Sequence, residues 1–386
     1  MRPLSVTGLG VVSACGVGWD AFRAGLAGPE SGFATDAAPF DLGPYPGARV
    51  AAVRGFDPAP FIGSTGLRNN DRLTKLLLVA ARTSLAHAGI KSEGRWQRLG
   101  PDEVGVVGAT AYGSLEAIHE LNAVARTEDP RYLNPARFPN TVINSSVGYV
   151  SIWDELRALN ATVVNGPTGA LDAVSAASLY LSAGRARAVL VGGGEALAEP
   201  LVLGLHRAGA FARGDFALGE GAAFAVLEDA ATARAAGVPA LAELIGYGTA
   251  FDPREPDDDG CVIASDALAR AIALALRDAA VAPAEVDAVA TGLGGLPATE
   301  LAERAALTAA LGPAICLATP KERYGETLGA SGALALASAV AWAGGAAITQ
   351  ARGGEPPRRA RTVLVTALGI HGNASALVVR GAREDA

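Results

Sequence analysis

Sulfur, imidazole and ammonium groups are scarce in this chain. Its 386 residues include three cysteines, four histidines and one methionine, and only three lysines stand among the 32 basic residues. Cys15, Cys261 and Cys316 lie far apart, form no CxxC pair and share no ligand cluster with the histidines. This argues against a disulfide framework or a zinc site and fits a reducing cytoplasmic compartment. Nothing in the pattern calls for a metal or an organic cofactor. Positive charge is short as well. The net charge is −7, and no basic run is longer than PPRRAR at 356–361. Phosphate backbones need clustered positive charge, so no nucleic-acid partner is expected. The N-terminus has no charged segment leading into a long apolar run, so no secretory signal is expected. The most membrane-like stretch, 330–348, is rich in alanine and carries Gly332, Gly344 and Gly345. Such residues transfer weakly into lipid, so a buried helix is expected there and no membrane association.

What the chain does have is a large apolar fraction, 50% of residues, enough for a sizeable core. Short apolar runs at 4–13, 104–110, 187–197 and 221–229 alternate with helical patterns at 71–90 and 113–126. The alternation repeats beyond the middle. Strand patterns lie at 286–295, 314–319, 362–369 and 374–381, and helical ones at 265–279, 299–311 and 330–348. The pattern predicts an α/β fold with a mostly parallel, buried sheet. Its double occurrence, with a join near 228–240, predicts two similar halves, residues 1–230 and 231–386. The Pro-, Gly- and Asp-rich stretches 41–66 and 248–260 read as surface connections.

The segment NATVVNGPTGALDAVSAAS (160–178) reads as strand, sharp turn and helix, an arrangement that often presents a nucleophile. Here the turn offers Gly166, Pro167, Thr168 and Gly169. Other segments stand in a suggestive order around it: VTGLGVVSACG near the start, LNPARFPNTVINSSVGYVSI (133–152), AGRARAVLVGGGEAL (183–197), ALGEGAAFAVLED (217–229), TPKERYGETLGASGALALASAVAW (319–342) and LGIHGNAS (368–375). Together they resemble the β-ketoacyl synthases of the thiolase fold along nearly the whole chain. The resemblance implies two similar βαβαβ halves forming a five-layered α-β-α-β-α core.

Carbon–carbon bond formation in that family uses a cysteine thiolate, two histidines and an oxyanion hole with a donor from the nucleophile's own N–H. Matching GPTGALDA to the family's nucleophile elbow places Pro167 at the cysteine. Both the thiol and the N–H are then missing, and one lost oxyanion donor costs roughly 3–4 kcal/mol in the transition state. Proline nevertheless suits the first turn of a helix, where its missing N–H has no intrahelical partner. The two histidine positions hold Thr291 and Glu326, neither of which offers an imidazole N–H to an enolate. Lys321 matches the family's lysine, and with Glu326 it suggests a structural ion pair. Thr168 reads as a turn hydroxyl, Cys316 as a small core residue, and His87, His119 and His206 as helix-surface or core histidines. His371, in the shortened C-terminal loop, reads as ordinary loop packing, with a ligand contact near the old site as the alternative.

A chain that keeps this fold and loses these groups resembles a chain length factor, the catalytically silent partner of an active ketosynthase in type II polyketide or aryl-polyene synthesis. The resemblance implies a heterodimer, with the growing acyl chain held by the partner and this subunit walling the tunnel. The acyl carrier protein, itself acidic, would dock mainly on that partner. Many chain length factors carry glutamine at the nucleophile position. Proline in its place predicts no decarboxylase activity. By resemblance, Leu115, Ile118 and Asn122 are the tunnel candidates; their spacing puts them on one helix face, which is also ordinary core spacing. The subunit interface is expected in 133–165. Two alternatives are a condensing enzyme with Thr168 or a displaced cysteine as nucleophile, and a non-catalytic homodimer that binds acyl chains.

Overall fold

The computed structural model describes residues 1–382 apart from 30–31, 34–37, 214–215 and 259. In the first half the main strands are β1 (Leu4–Ser13), β2 (Val104–Ala109), β3 (Asn160–Val163), β4 (Ala188–Glu195) and β5 (Gly221–Asp229). In the second they are β6 (Ala242–Phe251), β7 (Ala288–Ala290), β8 (Cys316–Ala318), β9 (Thr362–Leu368) and β10 (Asn373–Gly381). They run in the order β8-β7-β9-β10-β6-β1-β5-β4-β2-β3. From either outer edge the order is thus third, second, fourth, fifth and first strand of that half. The halves meet where β1 pairs with β6, Leu4 opposite Leu244.

Among the described residues, seven helices of ten or more residues cover and separate the strands: α1 (Arg72–His87), α2 (Leu115–Thr127), α3 (Ser145–Asp154), α4 (Gly169–Ser182), α5 (Ser265–Ala279), α6 (Glu300–Leu311) and α7 (Ser331–Ala343). Helices α4 and α7 form the central layer. The first packs on β2, β4 and β10, and the second on β4, β5, β9 and β10. Outside, α1 lies on β1 and β5, and α5 on β6 and β10, giving the thiolase-like α-β-α-β-α succession. Every residue of α7 is buried. Its Ala- and Gly-rich sequence lets neighbours approach closely, so the expected buried helix is what forms. It ends at Ala343, short of the expected 348, because Gly344 and Gly345 follow and Gly345 takes φ +96°. Helix α1 begins where Asp71 caps the N–H of Thr74 at 2.8 Å.

One expectation fails. The sheet is mixed, not mostly parallel. The pairs β2–β3, β2–β4, β7–β8 and β7–β9 are parallel. The longest ladders, β1–β5, β4–β5, β6–β10 and β9–β10, are antiparallel. Strands β9 and β10 are separated only by residues 369–372, too few for a helical crossover. Strands β7 and β8 are also shorter than the apolar runs that announced them. The Thr291 N–H to Ala318 O bond is the last rung of the β7–β8 ladder, and β7 ends there.

Candidate functional site

Strand β3 ends at an elbow. Gly166 takes φ +58°, a left-handed conformation that glycine adopts without strain. Gly166–Thr168 then make one tight turn that runs into α4, with Pro167 in its first positions. Pro167 is buried. The Thr168 hydroxyl lies 3.1 Å from Asn165 O and 2.9 Å from Asp172 Oδ2, and accepts from Asn373 Nδ2 at 2.8 Å. It is engaged on every side and fully buried. Asp172 gathers further donors: Asn165 Nδ2 at 2.8 Å, Tyr247 Oη at 2.8 Å and Ser375 Oγ at 2.5 Å. One carboxylate on α4 thereby ties the elbow to β6 and β10 of the other half.

The four positions singled out in the sequence do come together. Pro167, Thr291, Lys321 and Glu326 line one crevice, with Thr299, Glu303, Ser331 and Thr366, and its volume is only about 10 Å³. That is about the room of one water molecule. The Thr291 hydroxyl donates to Ala318 O at 2.8 Å. Lys321 Nζ meets Glu326 Oε2 at 2.5 Å, and the other carboxylate oxygen accepts from Leu328 N at 2.7 Å and Ser331 Oγ at 2.5 Å. Burial pushes the Glu326 carboxyl up, but the Lys321 charge and these hydrogen bonds outweigh it and hold it below its ordinary value. Glu303 accepts from Gly292 N and the Thr366 hydroxyl, both at 2.8 Å, and burial raises its pKa. The crevice is therefore full of polar groups that satisfy one another.

Over Pro167 opens a larger cavity of about 520 Å³, walled mainly by apolar side chains, among them Tyr112, Val164, Phe251, Leu296, Leu328 and Ile370. His371 and Asn373 stand at its side, and His371 is exposed. Behind this wall lies Glu195, which the sequence reading missed. It accepts from Ala111 N at 2.7 Å, Gly329 N at 3.2 Å and Thr110 Oγ1 at 3.3 Å, so it clamps the loop before α2 to the turn before α7. Burial pushes its pKa up to about 7 against these hydrogen bonds. Tyr112 was also missed; it occupies the cavity wall just ahead of α2.

The tunnel candidates lie elsewhere. Leu115 is half-buried against a cluster that includes Tyr45, Val50, Leu218 and Leu328. Ile118 is half-buried and Asn122 exposed, and none of the three lines the cavity over Pro167. No displaced thiol replaces the missing one at this cavity: burial pushes Cys15 up to about 12 and Cys316 up to about 11, and none of the cysteines lines it. His87 Nδ1 rests against the backbone of Leu9, and His206 lies edge-on to Tyr45. Among the described residues no group of His, Cys, Asp or Glu could hold a metal ion, and no helix is long and apolar enough to cross a membrane.

The expected interface segment carries exposed apolar side chains: Phe138 at 66%, Ile152 at 69% and Val142 at 50% of full exposure, with Tyr132, Ile143 and Val164 nearby in sequence. Among the described residues, strand β3 is the outermost of its half, with one ladder edge unpaired.

Comparison with known proteins agrees along the chain. The profile described as β-ketoacyl synthase, N-terminal domain, matches residues 1–233, and that of the C-terminal domain matches 241–349. The tetracenomycin polyketide synthase ketoacyl synthase beta subunit of Streptomyces glaucescens is 31% identical, covering 98% of both chains. The 3-oxoacyl-[acyl-carrier-protein] synthase 2 of Coxiella burnetii is 28% identical, over 86% of this chain and 84% of its own. In fold, the chain is similar to the ishigamide ketosynthase/chain length factor, with TM-score 0.87 and 24% identity over 99% of this chain and 100% of that one. A ketosynthase in complex with its chain length factor from Xenorhabdus doucetiae gives TM-score 0.76 at 17% identity, over 99% and 98%.

Proposed function

Because the chain belongs to the β-ketoacyl synthase family, we propose that it is the non-condensing member of a ketosynthase pair, a chain length factor acting in polyketide-like acyl-chain synthesis. One observation carries the reading. At the elbow stands Pro167, with neither thiol nor N–H, and beside it Thr291 and Glu326, the latter paired with Lys321, stand at the positions where a condensing enzyme needs two neutral imidazoles. A thioester can neither form there nor have its oxyanion held. The similarity to a polyketide ketosynthase beta subunit supports the same role.

The active partner supplies the cysteine and receives the carrier protein. Its docking face on this subunit is the apolar surface of Phe138, Val142, Ile143 and Ile152, beside the open edge of β3. A paired edge strand and a buried apolar face are what a permanent heterodimer requires. Helix α2, which packs against the 135–141 turn, then borders the tunnel. The test is co-expression with an intact ketosynthase that carries the cysteine and both histidines, followed by incubation with acyl-carrier substrate and mass spectrometry of both subunits. A stable heterodimer with acyl adduct only on the partner is expected. An adduct on this chain, or turnover by it alone, refutes the proposal.

A further inference from the structure

Three segments meet at the start of α2, away from the elbow. The N–H of Arg72 faces Glu116 Oε2 at 3.3 Å, joining the first turns of α1 and α2. Asn140 Nδ2 donates to Asn69 O at 2.8 Å, joining the turn Pro135–Thr141 to the residues that lead into α1. Helix α2 packs against that same turn, which closes the triangle. On these segments four buried polar atoms have no partner among the described residues: Asn70 Nδ2, Asp71 Oδ2, Ser114 Oγ and Asn140 Oδ1. Their residues are 4%, 2%, 3% and 1% exposed. An unpartnered buried polar atom costs about 1–3 kcal/mol, more for a carboxylate. Four on adjoining segments call for a shared ligand.

The chemistry of the four atoms selects that ligand. Asn70 Nδ2 can only donate. Asp71 Oδ2 and Asn140 Oδ1 can only accept. The Ser114 hydroxyl does either. A metal cation would confront the amide hydrogens of Asn70 and the positive N-terminal ends of both α1 and α2. A phosphate or carboxylate would confront two acceptor oxygens. Water donates twice and accepts twice, which matches the set. We propose that Asn70, Asp71, Ser114 and Asn140 enclose a structural water molecule that fastens α2 to the turn carrying Phe138. The water makes the position of α2 depend on a segment of the exposed apolar face.

Two experiments decide it. A crystal structure of the chain, or of its complex with a partner, grown in rubidium chloride is expected to show a density peak within hydrogen-bonding distance of the four atoms and no anomalous signal. An anomalous rubidium peak there, or no peak, overturns the proposal. Separately, Asn70→Ala and Ser114→Ala, two mild changes at side chains that do not bond each other, are each expected to lower the urea midpoint. Their combination is expected to lower it no further than the worse single change, because the water is already lost. Fully additive shifts overturn the proposal.

Discussion

Glu326→Gln is the sharpest perturbation of the remodelled crevice. Glu326 is fully buried and Lys321 is 5% exposed. The substitution keeps the shape of the side chain and an amide oxygen able to serve Leu328 N–H and Ser331 Oγ. It removes the charge 2.5 Å from Lys321 Nζ. An ammonium left alone in such a place costs about 3–5 kcal/mol. If the two hydrogen bonds also weaken, about 1 kcal/mol apiece is added. Against a total stability of about 5–15 kcal/mol this is severe. The double variant Lys321→Met with Glu326→Gln removes the stranded charge. A hydrophobic replacement of a buried pair is often close to neutral, so it should recover most of the loss, ending within about 2 kcal/mol of the parent. The assay is urea unfolding at neutral pH of the chain, or of its complex with a partner, using the midpoint with an unchanged slope. A Glu326→Gln loss below about 1 kcal/mol, or a double variant as unstable as the single, would refute the claim that charge compensation holds this crevice together.

Other outcomes follow from the same geometry. With the folded-state pKa of Glu195 at about 7, the native chain keeps a proton that the unfolded chain has released. Stability should then fall as pH rises from about 4.5 through about 7 and level off above, by about 3 kcal/mol from this group; Glu195→Gln should flatten that part of a melting-temperature profile. Pro167→Cys is expected to give a chain that iodoacetamide labels at position 167 but that neither decarboxylates malonyl carrier nor condenses, since Thr291 and Glu326 remain; turnover by this variant would contradict the assignment of both positions. Ile152→Glu on the exposed face is expected to weaken pairing with the ketosynthase at least ~10-fold by analytical ultracentrifugation, about 1.4 kcal/mol or more, with the circular dichroism of the separate chain unchanged. Leu115→Ala is expected to lengthen the product made by the reconstituted pair, and an unchanged product profile by mass spectrometry would remove Leu115 from the tunnel wall.

The apolar runs told where most strands lie but not which way they run. A strand buried on both faces shows a continuous hydrophobic run whether its neighbours are parallel or antiparallel, so β4, β5, β9 and β10 read alike. Orientation resided in the connections, and the short 369–372 turn was the available sign that β9 and β10 form a hairpin. The start of α1 was legible where Asp71 marks it as a cap, whereas the expectation for α7 ran past the paired glycines that end it at Ala343. The short reach of β7 was not legible in its apolar run: its last ladder bond, Thr291 N–H to Ala318 O, is doubled by the Thr291 hydroxyl on the same carbonyl, a contact that lies far along the chain.

The elbow divides the same way. On the proposed reading, Pro167, Thr291 and Glu326 could be found because each is a residue that cannot do what a motif position asks. Asp172 and Glu195 could not, because their meaning lies in partners distant along the chain. Asp172 meets Tyr247 and Ser375, and Glu195 meets Ala111 and Gly329. These contacts also hold the elbow in shape. In a condensing enzyme the reacting groups must stay free of mutual satisfaction, ready for substrate. Here Thr168, Asp172, Lys321 and Glu326 are bonded to one another or to their walls, and the crevice is closed to about 10 Å³. If the chain is the non-condensing subunit proposed above, restoring chemistry would take more than a thiol: it would require undoing bonds that hold the two halves and the α7 entrance together. That coupling predicts that stability and condensing activity trade against each other at this position in every variant that moves toward the family's catalytic set.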